Sequence, residues 1–221
     1  MIEGIQLKIC GLTSLVDACH ADHAGADYLG FILYPKSPRC VSLPQFAAMR
    51  GRLPDGRRTV AVMVEPADAD LASAMAEGFD RVQIHFRADH PLDRLEAWSG
   101  RVGPERLWLA PKLPPAIDVA DAWLPLADTF LLDSYDESQF GGSGRAGDWA
   151  KFRRHQMRHG QKTWILAGGI GPGNVAAALE ASGARVVDMN SGVEVSPGIK
   201  DHAKIDRAAL AIRSARRSKT R

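Results

Sequence analysis

Gly25-Ala26-Asp27-Tyr28-Leu29-Gly30-Phe31 reads as a junction. A helical run stops at a glycine, an acidic residue follows, and a short apolar strand opens. The junction recurs at Gly78-Phe79-Asp80-Arg81-Val82-Gln83-Ile84, at Ala127-Asp128-Thr129-Phe130-Leu131-Leu132 and, with a basic residue in the charged place, at Gly183-Ala184-Arg185-Val186-Val187. The steps from Asp27 to Asp80, to Asp128 and to Arg185 are 53, 48 and 57 residues. Each is too long for one strand–helix unit and suits two. Strand-like runs do lie between the copies, at Thr59 to Val64, Arg106 to Ala110 and Lys162 to Ala167, and Ile5 to Cys10 stands in front of them all. Eight strands result. The segments between them have helical apolar spacing, as in Leu15 to His23 and Val175 to Leu179. Eight alternating units in 221 residues predict an α/β chain forming a single (β/α)8 barrel (a TIM barrel) over 1–221, with an inner sheet of eight parallel strands. An open doubly wound sheet would ordinarily show Gly-x-Gly-x-x-Gly after its first strand, where this chain has Cys10-Gly11-Leu12-Thr13.

The bulk composition narrows the function classes. The apolar fraction of 45% and charged fraction of 24% are ordinary for a globular protein. A net charge of +2 implies no general affinity for nucleic acid, and the basic cluster from Arg213 to Arg221 reads as a solvated tail. Cys10, Cys19 and Cys40 form no CxxC pair and no metal spacing, so no metal is expected and a reducing cytoplasm is the simplest compartment. Acidic Glu3 and the lack of a long apolar run speak against a signal peptide. No stretch approaches the ~18 apolar residues of a membrane span. No membrane, nucleic acid or obligate protein partner is implied.

Candidate chemistry lies where strands end. Cys10 closes the first strand, and Gly11 and the helix-start residues Thr13 and Ser14 follow. A thiol beside the positive end of a helix is expected to have a lowered pKa and to serve in proton transfer. The competing reading is a small buried apolar residue. Asp133 closes the sixth strand and is placed to act as a general acid if its pKa is raised, or else to cap its loop. That loop continues through Gly141-Gly142-Ser143-Gly144-Arg145 to Asp148-Trp149. After the second strand, Pro35 and Pro38 stiffen the loop holding Arg39, whose guanidinium could clamp a carboxylate or a phosphate. His85 ends the fourth strand at a pocket-facing position, where a lone histidine is more often structural than catalytic. The seventh strand runs into Ala167-Gly168-Gly169-Ile170 and a helix start at Pro172 to Asn174, and the eighth into Asp188-Met189-Asn190-Ser191-Gly192. Glycine-rich loops at these two places commonly hold a substrate phosphate. Here the backbone N–H groups of Gly168, Gly169, Ser191 and Gly192 are the expected donors.

In this order and spacing the motifs resemble the phosphoribosylanthranilate isomerase family over nearly the whole chain. They are Lys8-Ile9-Cys10-Gly11-Leu12-Thr13, Pro35-Lys36-Ser37-Pro38-Arg39, Val82-Gln83-Ile84-His85, Leu132-Asp133, Leu166-Ala167-Gly168-Gly169-Ile170, Val187-Asp188, Ser191-Gly192-Val193-Glu194 and Pro197-Gly198-Ile199-Lys200-Asp201. The resemblance implies a cofactor-free Amadori rearrangement of N-(5-phosphoribosyl)anthranilate in tryptophan biosynthesis, on a small phosphorylated substrate. It implies Cys10 as general base, Asp133 as general acid, Arg39 on the anthranilate carboxylate, and His85 and Asp188 in the pocket wall. The alternatives are a related phosphosugar barrel enzyme, which would have an aspartate in place of Cys10, and a non-catalytic phosphate-binding barrel. The chain departs from the family pattern at four places. Phe86 stands where glycine is usual and is expected to crowd its loop. Met63-Val64-Glu65 replaces a Phe and then an Asn. Asn190 replaces a serine, and Ala110 to Pro115 is unlike the commoner form. These bear on affinity and loop geometry more than on reaction class.

Overall fold

The computed structural model describes residues 1–134 and 148–217. The Gly141 to Arg145 run and the end of the basic tail lie outside them. Eight strands form a closed parallel barrel: β1 (Gln6–Ile9), β2 (Tyr28–Ile32), β3 (Arg58–Val64), β4 (Arg81–Arg87), β5 (Leu107–Lys112), β6 (Thr129–Leu132), β7 (Thr163–Leu166) and β8 (Val186–Met189). Each pairs with the next, and β8 returns to β1 with Gln6 opposite Val186 and Lys8 opposite Asp188. The outer layer holds α1 (Leu15–Ala24), α2 (Leu43–Arg50), α3 (Asp68–Ala76), α4 (Leu92–Val102), α5 (Trp149–Arg158), α6 (Val175–Ser182) and α7 (His202–Arg217).

The recurrent junction has a structural cause. Gly25 caps α1 in the left-handed region at φ 102°, and its N–H donates to Ala21 O and Asp22 O. Asp27 then stitches the barrel floor: its carboxylate accepts from Leu7 N at 2.9 Å and from the N-terminal ammonium at 2.6 Å. Asp80 repeats the device, accepting from Thr59 N at 2.8 Å and from Thr59 Oγ1 at 3.0 Å. In both places the acid that opens one strand satisfies an N–H on the strand before it.

Two expectations need correction. The unit after β5 has no α-helix; its place is taken by a 3-10 helix, Asp121–Leu126. Pro114 and Pro115 precede it and Pro125 lies inside it, so a regular ladder of backbone donors is missing. The stretch Met189 to Lys200, which the sequence marks as one of the longest loops after a strand, is also not a plain loop. A 3-10 turn, Ser191–Val193, leads into an antiparallel hairpin of β9 (Glu194–Ser196) and β10 (Ile199–Lys200), turning at Gly198 with φ 86°. Among the described residues no helix is long and apolar enough to cross a membrane.

Strand parity separates two cores. Tyr28, Val60, Val62, Trp108, Leu131, Ile165 and Val186 fill the barrel interior. Their strand neighbours Leu29, Phe31, Ala61, Ile84, Leu109 and Phe130 face the helices. Phe86 belongs to the second group. It is fully buried, with ring centroids 6.2 Å from Trp98 and 5.2 Å from Trp123. It therefore fills the layer between sheet and helices and does not crowd the loop above the barrel. Phe86→Ala should lower the unfolding free energy by about 3–5 kcal/mol, the usual cost of emptying a buried aromatic site, as read by denaturant titration.

Candidate active site

One cavity opens at the C-terminal end of the strands. It is lined by Cys10, Arg39, His85, Asp133, Gly168, Gly169, Asp188 and Ser191, together with Tyr34, Gln83 and Asn190. Eight of the nine residues singled out from the sequence thus meet in one place, although they come from six strand ends.

The floor is built by β1 and β8. Lys8 and Cys10 are two residues apart and point to the same side, into the barrel. Lys8 is fully buried, and its Nζ lies 3.0 Å from Asp188 Oδ1, its register partner across the seam. Room for these side chains comes from Gly30 on β2: a Cβ there would lie 3.1 Å from Cys10 Sγ and 3.1 Å from Lys8 Cε. Burial alone would lower the Lys8 pKa, but Asp188 and Cys10 outweigh it and hold the ammonium above its ordinary range. Cys10 moves against expectation. Burial pushes its thiol up, Lys8 opposes the rise and Asp188 adds to it. The helix that was to lower it begins only at Leu15, capped by Ser14, so its dipole is a full turn away while desolvation acts directly.

Asp133 stands on the opposite wall. Burial pushes its pKa up to about 6, against the Ser134 N–H that donates to it at 2.7 Å, with Asp188 adding to the rise. His85, hydrogen-bonded to Gln83 at 2.7 Å, is pushed down to about 3 by burial and then by Lys8, so it is a neutral imidazole at pH 7.

Arg39 is not free to swing. Its Nε donates to Glu194 Oε1 at 2.9 Å and its Nη2 to Glu194 Oε2 at 2.8 Å. Lys200 Nζ reaches the same carboxylate at 2.9 Å and Asn190 Oδ1 at 2.9 Å. Burial would raise the Glu194 pKa, yet Arg39 and Lys200 bring it below its ordinary value. The β9–β10 hairpin therefore anchors Arg39, a role that the proline-stiffened loop suggested only in part. Glu194 and Lys200 carried no assigned role from the sequence; their signal was a Glu and a Lys six residues apart around a Pro-Gly turn. Lys8 was signalled by its parity with Cys10. Glu65 does not line this cavity and accepts from Arg87 N at 2.8 Å.

The loops after β7 and β8 lie side by side. Gly168 and Gly169 have φ of 92° and 60°, and their N–H groups donate to no described residue. Asn174, which caps α6, fixes the loop by accepting from Gly171 N and donating to Gly169 O, each at 2.9 Å. Gly192 is the ninth residue and does not line the cavity. A Cβ on it would fall 2.1 Å from Ile170 O, so this glycine serves the close approach of the two loops.

Comparisons with known proteins point to one family. A family model described as N-(5'phosphoribosyl)anthranilate (PRA) isomerase matches residues 7–209. The N-(5'-phosphoribosyl)anthranilate isomerase of Magnetococcus marinus is 38% identical over 212 residues, covering 96% of either chain. The crystal structure of phosphoribosyl anthranilate isomerase from Thermus thermophilus superposes with a TM-score of 0.79 at 30% identity, covering 98% of this chain and 100% of that one. A further phosphoribosyl anthranilate isomerase structure, in complex with reduced 1-(o-carboxyphenylamino)-1-deoxyribulose 5-phosphate, gives 0.73 at 27% identity over 95% and 99% of the chains.

The tightness of the floor is testable. Gly30→Val should destabilise by about 1–3 kcal/mol, as overpacked sites do, in denaturant titration. Gly51→Ala is the control. Nothing lies within 4 Å of its added Cβ and its φ is −68°, so it should be neutral or slightly stabilising.

Proposed function

Because this chain belongs to the N-(5'-phosphoribosyl)anthranilate isomerase family, we propose that Cys10 is the base and Asp133 the acid with which it carries out the family's reaction. The enzyme is an aldose–ketose isomerase of tryptophan biosynthesis. It opens a phosphoribosylamine ring and moves the carbonyl from C1 to C2. A proton on the ring oxygen opens the ribose, and Asp133 supplies it. The imine so formed acidifies the C2 hydrogen, which the Cys10 thiolate removes. The enamine then tautomerises to the ketone. The conversion is redox-neutral, and one acid, one base and an anchor for the substrate suffice. The observation that carries the assignment is the meeting of a thiol and a carboxyl in one cavity, the carboxyl pushed up to about 6.

The remaining residues divide the substrate between them. Arg39, set by Glu194, is proposed to take the anthranilate carboxylate at the rim. The N–H groups of Gly168, Gly169 and Ser191 take the phosphate, with the N-terminus of α6 adding its dipole. The relative complexed with a carboxyphenylamino deoxyribulose phosphate supports a phosphorylated substrate with a carboxylate at its other end. Neutral His85 and Asp188 line the space between. The unit proposed to do this is one barrel spanning 1–221, at work in the cytoplasm.

The pKa order sets the pH profile. Asp133 titrates near 6 and Cys10 above its ordinary range, so at neutral pH the pair holds one proton, mostly on sulfur. The active form also holds one proton, but on Asp133. Its share of the enzyme is therefore constant between the two pKa values. Below about pH 6 a second proton removes the thiolate; above the thiol pKa the acid is lost. kcat/KM should be flat in between and fall on either side, the lower limb set by Asp133. Cys10→Ala and Asp133→Asn should each lower kcat by about 10²–10⁴-fold, the usual worth of a proton-transfer group, in the assay that follows loss of phosphoribosylanthranilate fluorescence. A Cys10→Ala enzyme within a few-fold of the parent would remove the base assignment.

A further inference from the structure

We propose that Lys8 is a positioning residue for this reaction: fixed on the barrel seam by Asp188, its ammonium group is the counter-ion that holds the negative charge of Cys10 whenever the thiol is ionised. The inference rests on Cys10 as the base.

Lys8 is the cation that acts on the thiol most strongly; Lys200 acts more weakly, and each is also paired with a carboxylate. Lys8 precedes Cys10 by two residues along β1 and its end, is fully buried beneath it and shares its space: Lys8 Cε and Cys10 Sγ each lie 3.1 Å from where a Cβ of Gly30 would stand. Every other charged or titratable group facing Cys10 is either anionic, neutral or already engaged. From β8 comes Asp188, an anion, and from the end of β6 comes Asp133. From β4 comes His85, which is neutral at working pH. Lys200 on β10 is held by Glu194 and Asn190, and Arg39 is clamped by Glu194. From β2 comes Gly30, whose missing Cβ is what lets the lysine stem and the thiol share one space.

Stability alone does not account for a lysine here. The seam is closed by backbone pairing of Gln6 to Ile9 with Val186 to Met189, and buried ion pairs are commonly no more stabilising than apolar residues of the same volume. In the reaction the thiolate takes the C2 proton. The electron pair of that C–H bond becomes the C1–C2 double bond, and the former C1=N pair returns to nitrogen. Lys8 keeps its proton throughout and relaxes from sulfur toward Asp188 as the thiol re-forms.

The test reads the thiol directly. In a Cys19→Ser/Cys40→Ser background Cys10 is the sole cysteine. Its ionisation is followed by thiolate absorbance in the ultraviolet and by the pH dependence of iodoacetamide alkylation. Lys8→Met should raise the thiol pKa by a unit or more, so that alkylation near pH 8 slows about tenfold. Because Lys8→Met leaves Asp188 buried and unpaired, the Lys8→Met/Asp188→Asn variant is measured as well. It removes both charges and should shift the titration the same way, since Lys8 acts on Cys10 more strongly than Asp188 does. If the folded variants, checked by circular dichroism, titrate as the parent does, Lys8 is not the counter-ion. Should only the double variant fold, its titration decides. Turnover by Cys10→Ala is read separately: failure of the base assignment appears there, and failure of the Lys8 assignment appears in the titration.

Discussion

The closure of the barrel between β1 and β8 is the constraint on which the site depends. Parallel pairing puts Lys8 opposite Asp188 and Ile9 opposite Met189, and Cys10 N donates to Met189 O at 2.9 Å. A slip of β1 by one residue would turn Lys8 and Cys10 away from the cavity, put Leu7 and Ile9 into it and leave Asp188 without its partner. The last strand therefore positions the first. Two groups 180 residues apart in sequence become the floor of the pocket only when the ring is complete. An ion pair at that seam is a poor source of stability, but it penalises wrong register severely, because a slip would leave both charges buried and unpaired.

Most of the fold was legible because it is written with short-range signals. The glycine stop, the acidic residue and the apolar run at the Asp27 and Asp80 junctions are local, and there the acid has a local job: it satisfies a backbone donor on the preceding strand. What escaped was set by longer-range or opposing effects. The prolines around Asp121 were plain in the sequence, yet only the completed barrel shows that a 3-10 segment can cover the fifth unit. Phe86 was misjudged from its neighbour: His85 faces the pocket, so strand parity already required Phe86 to face the helices. The hairpin from Glu194 to Lys200 is too short to show periodicity, and its purpose lies in a contact with Arg39, 155 residues away. For Cys10 the position was readable but the sign of its pKa shift was not, because a sequence reports a nearby helix start more readily than the depth of burial.

The glycines divide into two kinds. Gly168 and Gly169 line the cavity with backbone angles that side-chain-bearing residues rarely take, and a Cβ on Gly168 would also fall 2.5 Å from Ser134 N. Gly30, Gly171 and Gly192 are needed for space. Added Cβ atoms on Gly171 and Gly192 would strike the backbone of the facing loop, at 2.7 Å and 2.1 Å. The loops after β7 and β8 are therefore packed against each other before any ligand arrives, which removes part of the ordering cost of binding.

Charge balance then explains why these loops use backbone donors. Among the described residues in and beneath the cavity the cations are Lys8, Arg39 and Lys200, and each is already matched. Lys8 faces Asp188; Arg39 and Lys200 share Glu194. A substrate with a phosphate at one end and a carboxylate at the other would meet no unpaired side-chain charge at the phosphate end. Placing a lysine beside Gly168 or Ser191 would add a second cation near Cys10 and stabilise the thiolate independently of substrate. Backbone N–H groups and the α6 terminus supply attraction for an anion without a titrating group, and their field decays within about one helical turn. On the proposed assignment the phosphate is held firmly while the protons at the other end of the cavity remain under the control of Lys8, Asp188 and Asp133.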